Sequence, residues 1–244
     1  MFDHVTIRVS DCAASRAFYG LGLSVLGHEL SSSGEDYDEW NDFGFASAGD
    51  ERPLTRRLHV GFVSPSIEAV DEFWQALTNV GYSDDGPPGP RPQYREEYYG
   101  AFVFDPDRNS AEAVHHGLLR DDGGVIDHLW LRVRDVAASK RFYETIAPVG
   151  GIRLVHDDPL RVRFRGDGGS CTFVKGEPLT ENVHLAFPAH DDATVDEFHR
   201  VALAAGYRDN GAPGERPEYH SGYYGAYVLD PDGNNVEVVN HHRD

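Results

Sequence analysis

From His4 to Val9 polar and apolar side chains alternate, so Val5, Ile7 and Val9 share one face of a strand while His4, Thr6 and Arg8 take the other. The period then changes. Asp11 is placed to cap a helix running through Tyr19, in which Ala14, Phe18 and Leu21 fall near helical spacing. Strands are expected at 23–29 and 44–48. A second round of the same order follows, with a strand at 58–63, a helix at 67–80 and strands at 101–104 and 111–115. Two Pro-rich stretches, GPPGPRPQYREEYYG and GAPGERPEYHSGYYG, are expected to be long loops at the mouth of a cavity, not regular strands or helices in their first halves.

The pattern occurs twice. FDHVTIRVSDCAASRAFY, starting at Phe2, aligns without a gap on IDHLWLRVRDVAASKRFY, starting at Ile126, at an offset of 124. The segments ending at Tyr82 and Tyr207 also correspond, as do those containing Glu112 and Glu237, at an offset of 125. This duplication predicts two tandem domains, 1–119 and 125–244, joined by the short polar linker 120–124. Each domain would consist of two strand-helix-strand-strand-strand units.

Composition narrows the function classes. The 244 residues are 40% hydrophobic with a formal net charge of −19, a balance that repels phosphate backbones and anionic lipid heads, so neither nucleic acid nor a membrane is expected as a partner. The first residues lack the continuous apolar core of a secretory signal, and no stretch approaches membrane-spanning length. Cys12 and Cys171 do not occupy equivalent repeat positions, which argues against a disulfide framework and fits a reducing cytoplasm.

The candidate chemistry lies on the polar faces of the strands. His4 and His128 stand opposite the apolar face of the first strand of each repeat; His59 and His184 stand opposite Val60, Phe62 and Leu185, Phe187; Glu112 and Glu237 stand opposite small or branched apolar neighbours. A mid-strand carboxylate among apolar residues is costly to bury without a cation. The expected metal sites are therefore His4, His59 and Glu112 in the first domain and His128, His184 and Glu237 in the second. Two imidazoles and one carboxylate suit divalent Fe, Mn, Ni or Zn and leave positions free for substrate, water or dioxygen.

These residues, with the closing GYYGAYVLDPDGNNVEVV, resemble the vicinal oxygen chelate superfamily, which includes glyoxalase I, extradiol dioxygenases and fosfomycin- and bleomycin-resistance proteins. The resemblance implies an α+β fold of two tandem domains, in each of which paired βαβββ units form a cup-shaped, partly open mixed sheet with flanking helices. It implies a small-molecule substrate chelated through vicinal oxygens, with dioxygenase or lyase/isomerase chemistry; a homodimer is a further expectation. The alternative is a bleomycin-resistance-type protein that sequesters a small molecule without turnover, although that class generally lacks the ligand residues present here. Glyoxalase I adds a fourth ligand, for which Glu177 is the candidate in this chain. Extradiol dioxygenases place a Tyr ten residues before the ligand Glu, the position of Tyr227; His220, whose counterpart is Arg95, is a candidate proton carrier. Trp130 and Tyr99 or Tyr224 are candidate cavity aromatics. His116 and His241 are expected to be exposed at strand ends, and Asp105-Pro106-Asp107 and Asp230-Pro231-Asp232-Gly233 to be turns.

Overall fold

The computed structural model describes residues 1–117 and 124–242, so most of the expected linker, 120–123, lies outside the described residues. The chain runs through the order strand, helix and three strands four times. The first round is β1 (His4–Val9), α1 (Cys12–Val25), β2 (Ser32–Ser33), β3 (Tyr37–Trp40) and β4 (Phe43–Ser47). The second is β5 (His59–Val63), α2 (Ile67–Asn79), β6 (Asp84–Pro90), β7 (Tyr99–Phe104) and β8 (Ser110–His115). The third is β9 (Ile126–Val133), α3 (Val136–Gly150), β10 (Arg153–Asp158), β11 (Arg161–Gly166) and β12 (Gly169–Lys175). The fourth is β13 (His184–Pro188), α4 (Asp192–Ala204), β14 (Arg208–Glu215), β15 (Tyr224–Leu229) and β16 (Asn235–Asn240). The α+β class with mixed, open sheets is as the sequence led us to expect.

Local chemistry explains most of the elements. In β1 the burial alternates as the pattern requires, with Val5, Ile7 and Val9 inside. Asp11 caps α1 by accepting from Ala13 N–H and Ala14 N–H, and Asp135 caps α3 in the same way. The strand expected at 23–29 does not form. Instead α1 continues to Val25, because Phe18, Tyr19, Gly22 and Leu23 make one buried helical face, and Gly27 at φ 80° turns the chain.

The Pro-rich stretches are a second correction, since their first halves form β6 and β14. Both are the outermost strands of their sheets, and both shift register against their neighbour twice, β6 between Asp84 and Gly86 and between Gly86 and Gly89. An edge strand with bulges tolerates proline because few of its N–H groups are needed by the ladder.

The chain divides into two compact units that cut across the sequence repeats: Thr6–Trp130 forms one, and Met1–Val5 with Leu131–Asp244 forms the other. Within the first, β5 lies between β8, to which it is parallel, and the first residues of β9, to which it is antiparallel, with Gly61 opposite His128. A Cβ at Gly61 would lie 2.3 Å from the His128 ring, so a glycine is required there for that imidazole to lie over the neighbouring strand. Within the second unit β13 is parallel to β16, and Asp3 N–H donates to the Ala186 carbonyl (2.9 Å), which brings the start of β1 alongside β13.

Candidate metal centres

All six His and Glu residues singled out in the sequence fall into two clusters, grouped differently from the expectation. His59 and Glu112 are joined by His128, and His184 and Glu237 are joined by His4. The first strands of the two repeats are exchanged, because β9 begins beside β5 and β1 begins beside β13.

In the unit of Thr6–Trp130, His59 Nε2 lies 3.2 Å from His128 Nε2, and Glu112 Oε2 lies 3.0 Å from the first and 3.2 Å from the second. In the other unit the His4–His184 Nε2 distance is 3.0 Å, and Glu237 Oε2 lies 3.0 Å from His184 and 3.6 Å from His4. Donors bound to one ion at about 2.1 Å in perpendicular positions stand about 3.0 Å apart. Both clusters therefore fit one face of an octahedral divalent ion. Glu112 and Glu237 are each 1% exposed, and no further carboxylate or Cys joins either group among the described residues. Glu177, the candidate fourth ligand, is an exposed residue beyond β12 and lies outside the cluster.

A second ring of contacts orients the inner atoms. Asp127 accepts from His128 Nδ1 (2.9 Å) and Asp3 from His4 Nδ1 (2.8 Å), which orients each Nε2 toward the cluster. His59 Nδ1 bonds Ser110 Oγ, whose hydroxyl donates to Asp85, and the equivalent His184 Nδ1 meets the Asn235 amide. The other carboxylate oxygen of each glutamate is held from the side: Tyr98 donates to Glu112 Oε1 and Tyr223 to Glu237 Oε1, both at 2.7 Å. The sequence suggests Tyr99 and Tyr224 as cavity aromatics, but these donate to Asp71 of α2 and Asp196 of α4 on the opposite face.

His116 and His241 were expected to be exposed strand-end residues; instead His116 bonds Asp127 (2.7 Å) and His241 bonds Asp3 (3.0 Å). His220 shares a hydrogen bond with His241 (2.8 Å) and stacks on it at 5.0 Å, so a line of bonded groups runs His220, His241, Asp3, His4. Tyr227 stands opposite Glu237 in register, its ring 6.2 Å from that of His184, while Phe102 holds the matching place 5.8 Å from His59. Trp130 contacts Tyr94, which contacts Tyr98, an aromatic run beside the first cluster.

Electrostatics are dominated by burial and by these bonds. Burial alone pushes Glu112 up, yet the hydrogen bonds from His128 and His59 bring it down to about 2. Burial pushes His128 down, and its bonds to Asp127 and Glu112 raise it to about 9. Glu237 is likewise held below the ordinary carboxylate range against its burial, with His184 the first cause. Burial and then the Glu237 charge push the Tyr227 hydroxyl up, so it remains a protonated donor. Asp105 and Asp230 are not free turn carboxylates: each is buried and accepts from an Asn in its turn, Asn109 or Asn234.

Asp3, Asp127, Tyr98 and Tyr223 are the residues that sequence reasoning missed. The repeated Asp-His pair at the start of β1 and β9 and the repeated Tyr-Tyr pair before Gly were the available signals.

This fold and these paired clusters define a protein of the cup-forming βαβββ type. A family model described as the Glyoxalase/Bleomycin resistance protein/Dioxygenase superfamily matches residues 1–113 and again 125–238, and the chain belongs to that superfamily. Among solved structures, it is similar to glyoxalase I from Zea mays, with a TM-score of 0.68 and 20% identity over 98% of this chain and 92% of that one. It is also similar to a protein from Bacillus subtilis subsp. subtilis str. 168 provisionally named as a dioxygenase, with a TM-score of 0.66 and 16% identity over 99% of this chain and 85% of that one. At such identities the likeness establishes the fold. No curated protein matches the chain.

Proposed function

We propose that the chain is a metal-dependent enzyme of the glyoxalase and dioxygenase type, holding one divalent ion in each cluster and chelating a small substrate there through two neighbouring oxygens. The observation that carries this reading is the spacing of 3.0–3.6 Å among two Nε2 atoms and one carboxylate oxygen, found twice. His59, His128 and Glu112 would hold one ion and His4, His184 and Glu237 the other; Fe, Mn, Ni and Zn all suit these donors. Bound there, the ion would supply Lewis-acid stabilisation of an enolate or catecholate.

The chain's own groups complete the site. Asp3 and Asp127 fix the imidazole tautomers, and Tyr98 and Tyr223 fix each glutamate so that Oε2 faces the imidazoles. Tyr227 is a hydrogen-bond donor toward substrate at one centre, and His220 is its proton carrier, reached from solvent and bonded through His241 to Asp3.

Metal analysis of the purified protein tests the reading first, with about two equivalents per chain expected. Anaerobic protein is then assayed with catechols, following oxygen uptake on admission of air, and with the glutathione hemithioacetal of methylglyoxal. A metal-free protein that stays metal-free after incubation with all four ions would refute it.

A further inference from the structure

Both centres carry an arginine that the ion-binding residues leave unused. Arg91 lies just past β6, its guanidinium 5.4 Å above the Phe102 ring, and donates to the Pro87 carbonyl (2.7 Å) and the Pro90 carbonyl (3.3 Å). Arg216 repeats this past β14, 5.5 Å above the Tyr227 ring, donating to the carbonyls of Ala212 (2.7 Å) and Glu215 (3.1 Å). The chain has 41 acidic residues against 22 Lys and Arg, so surplus carboxylates are plentiful, yet among the described residues neither guanidinium forms an ion pair with one. Backbone carbonyls and a ring fix each in place without neutralising it.

Glycines underlie both the arginine and the glutamate at each cluster. Phe102 pairs with Glu112 across β7 and β8, and Gly100, two residues earlier, shares that face and pairs with Gly89 of β6. A Cβ at Gly100 would lie 2.5 Å from Glu112 Oε1, and one at Gly89 would lie 3.0 Å from Arg91 Nη1. The carboxylate and the guanidinium thus lie over paired glycines on one face of the sheet. Gly225 and Gly214 pair in the same way, a Cβ at the first lying 2.6 Å from Glu237 Oε1 and at the second 3.0 Å from Arg216 Nη1.

We propose that Arg91 and Arg216 each bind the carboxylate of an anionic substrate whose vicinal oxygens reach the adjacent His-His-Glu cluster on the same face of the sheet, so that the preferred substrates are dihydroxy or oxo acids. This rests on the chelation reading above and adds the charge of the substrate to it. A planar fork of N–H donors suits a carboxylate, and an arginine already held by backbone carbonyls loses little freedom on binding one.

The test compares 3,4-dihydroxybenzoate with catechol, which has the same vicinal oxygens and no carboxylate, by anaerobic titration calorimetry on metal-loaded and chelator-stripped protein. The variant is Arg91→Met combined with Arg216→Met, which keeps a linear side chain over each ring; its metal content and circular dichroism report that the fold and centres persist. The acid is expected to bind at least tenfold more tightly than catechol to the native protein, and the variant to lose about ten- to a hundredfold in affinity for the acid with catechol unchanged. Absence of a preference for the acid, including absence of binding, overturns the proposal, as does an equal loss for both ligands. The chelation reading fails separately, if the preference exists and vanishes in the variant but stripping the metal changes neither affinity.

Discussion

The two clusters share their inner atoms and differ in what stands next to them. Beside His59, Glu112 and His128 the neighbouring ring is Phe102, and the position equivalent to His220 is Arg95; beside His4, His184 and Glu237 the ring is Tyr227 and the loop residue is His220. Among the described residues the bonded line from Asp127 ends at His116, one of whose ring nitrogens is buried without a partner there, whereas the line from Asp3 continues through His241 to His220. On the proposed reading, duplication has kept the residues that would hold a cation and varied those that would handle protons, so equal ion binding with unequal chemistry is expected.

The largest expected effects come from breaking the grouping itself. Glu112→Ala and Glu237→Ala should each lower the bound metal from about two equivalents to about one. His4→Ala combined with Glu237→Ala should still retain about one, because both residues serve the same centre, while His4→Ala combined with Glu112→Ala should retain none. Plasma mass spectrometry of the dialysed variants reads the result, and an ion surviving in the second pair would dismantle the grouping.

Smaller effects are expected from the supporting groups. Asp127→Asn and Asp3→Asn should each weaken one centre by about 10- to 100-fold in metal affinity, measured by chelator competition, because the imidazole loses the acceptor that fixes its tautomer. Once a substrate is in hand, Tyr227→Phe should make the two centres alike in turnover, with metal content unchanged; a rate that does not move would remove Tyr227 from the chemistry.

The mildest effect is on the pH dependence of the metal-free protein. Glu112 sits at about 2 against an ordinary 4.5, so its contribution to stability is present above 4.5 and is lost as pH falls toward 2. His128 sits at about 9 against 6.5, so its contribution is complete below 6.5 and is lost as pH rises toward 9. Calorimetry should show the melting temperature falling by a few degrees across each window. In His128→Gln the alkaline fall should disappear; its persistence would assign that window to another group.

How much of this was legible in the sequence depended on whether the deciding contact was local. Alternation in β1 and the cap at Asp11 are written within a few residues, and they were readable. So was the identity of the six cluster residues, because a polar group opposite an apolar strand face leaves a local trace. Which first strand joins which cluster was not readable: FDH and IDH begin β1 and β9 alike, and only the pairing of Gly61 with His128 or of Asp3 with Ala186 distinguishes them. The Tyr-Tyr pairs failed for a different reason. A shift of one residue sends a strand side chain to the other face, and only the ladder of Phe102 with Glu112 shows that Tyr98, not Tyr99, is on the side of the carboxylate.

The exchange of first strands has a consequence for how such a chain can change. Each repeat lends one imidazole to the centre whose other two groups come from its sister, so a gene copy that lost its opening residues would disable the centre its neighbour maintains and leave its own ion-binding pair short of a third only if the neighbour failed too. If both centres hold ions as proposed, loss of the opening histidine in either copy would empty the other copy's centre, which ties the two repeats together.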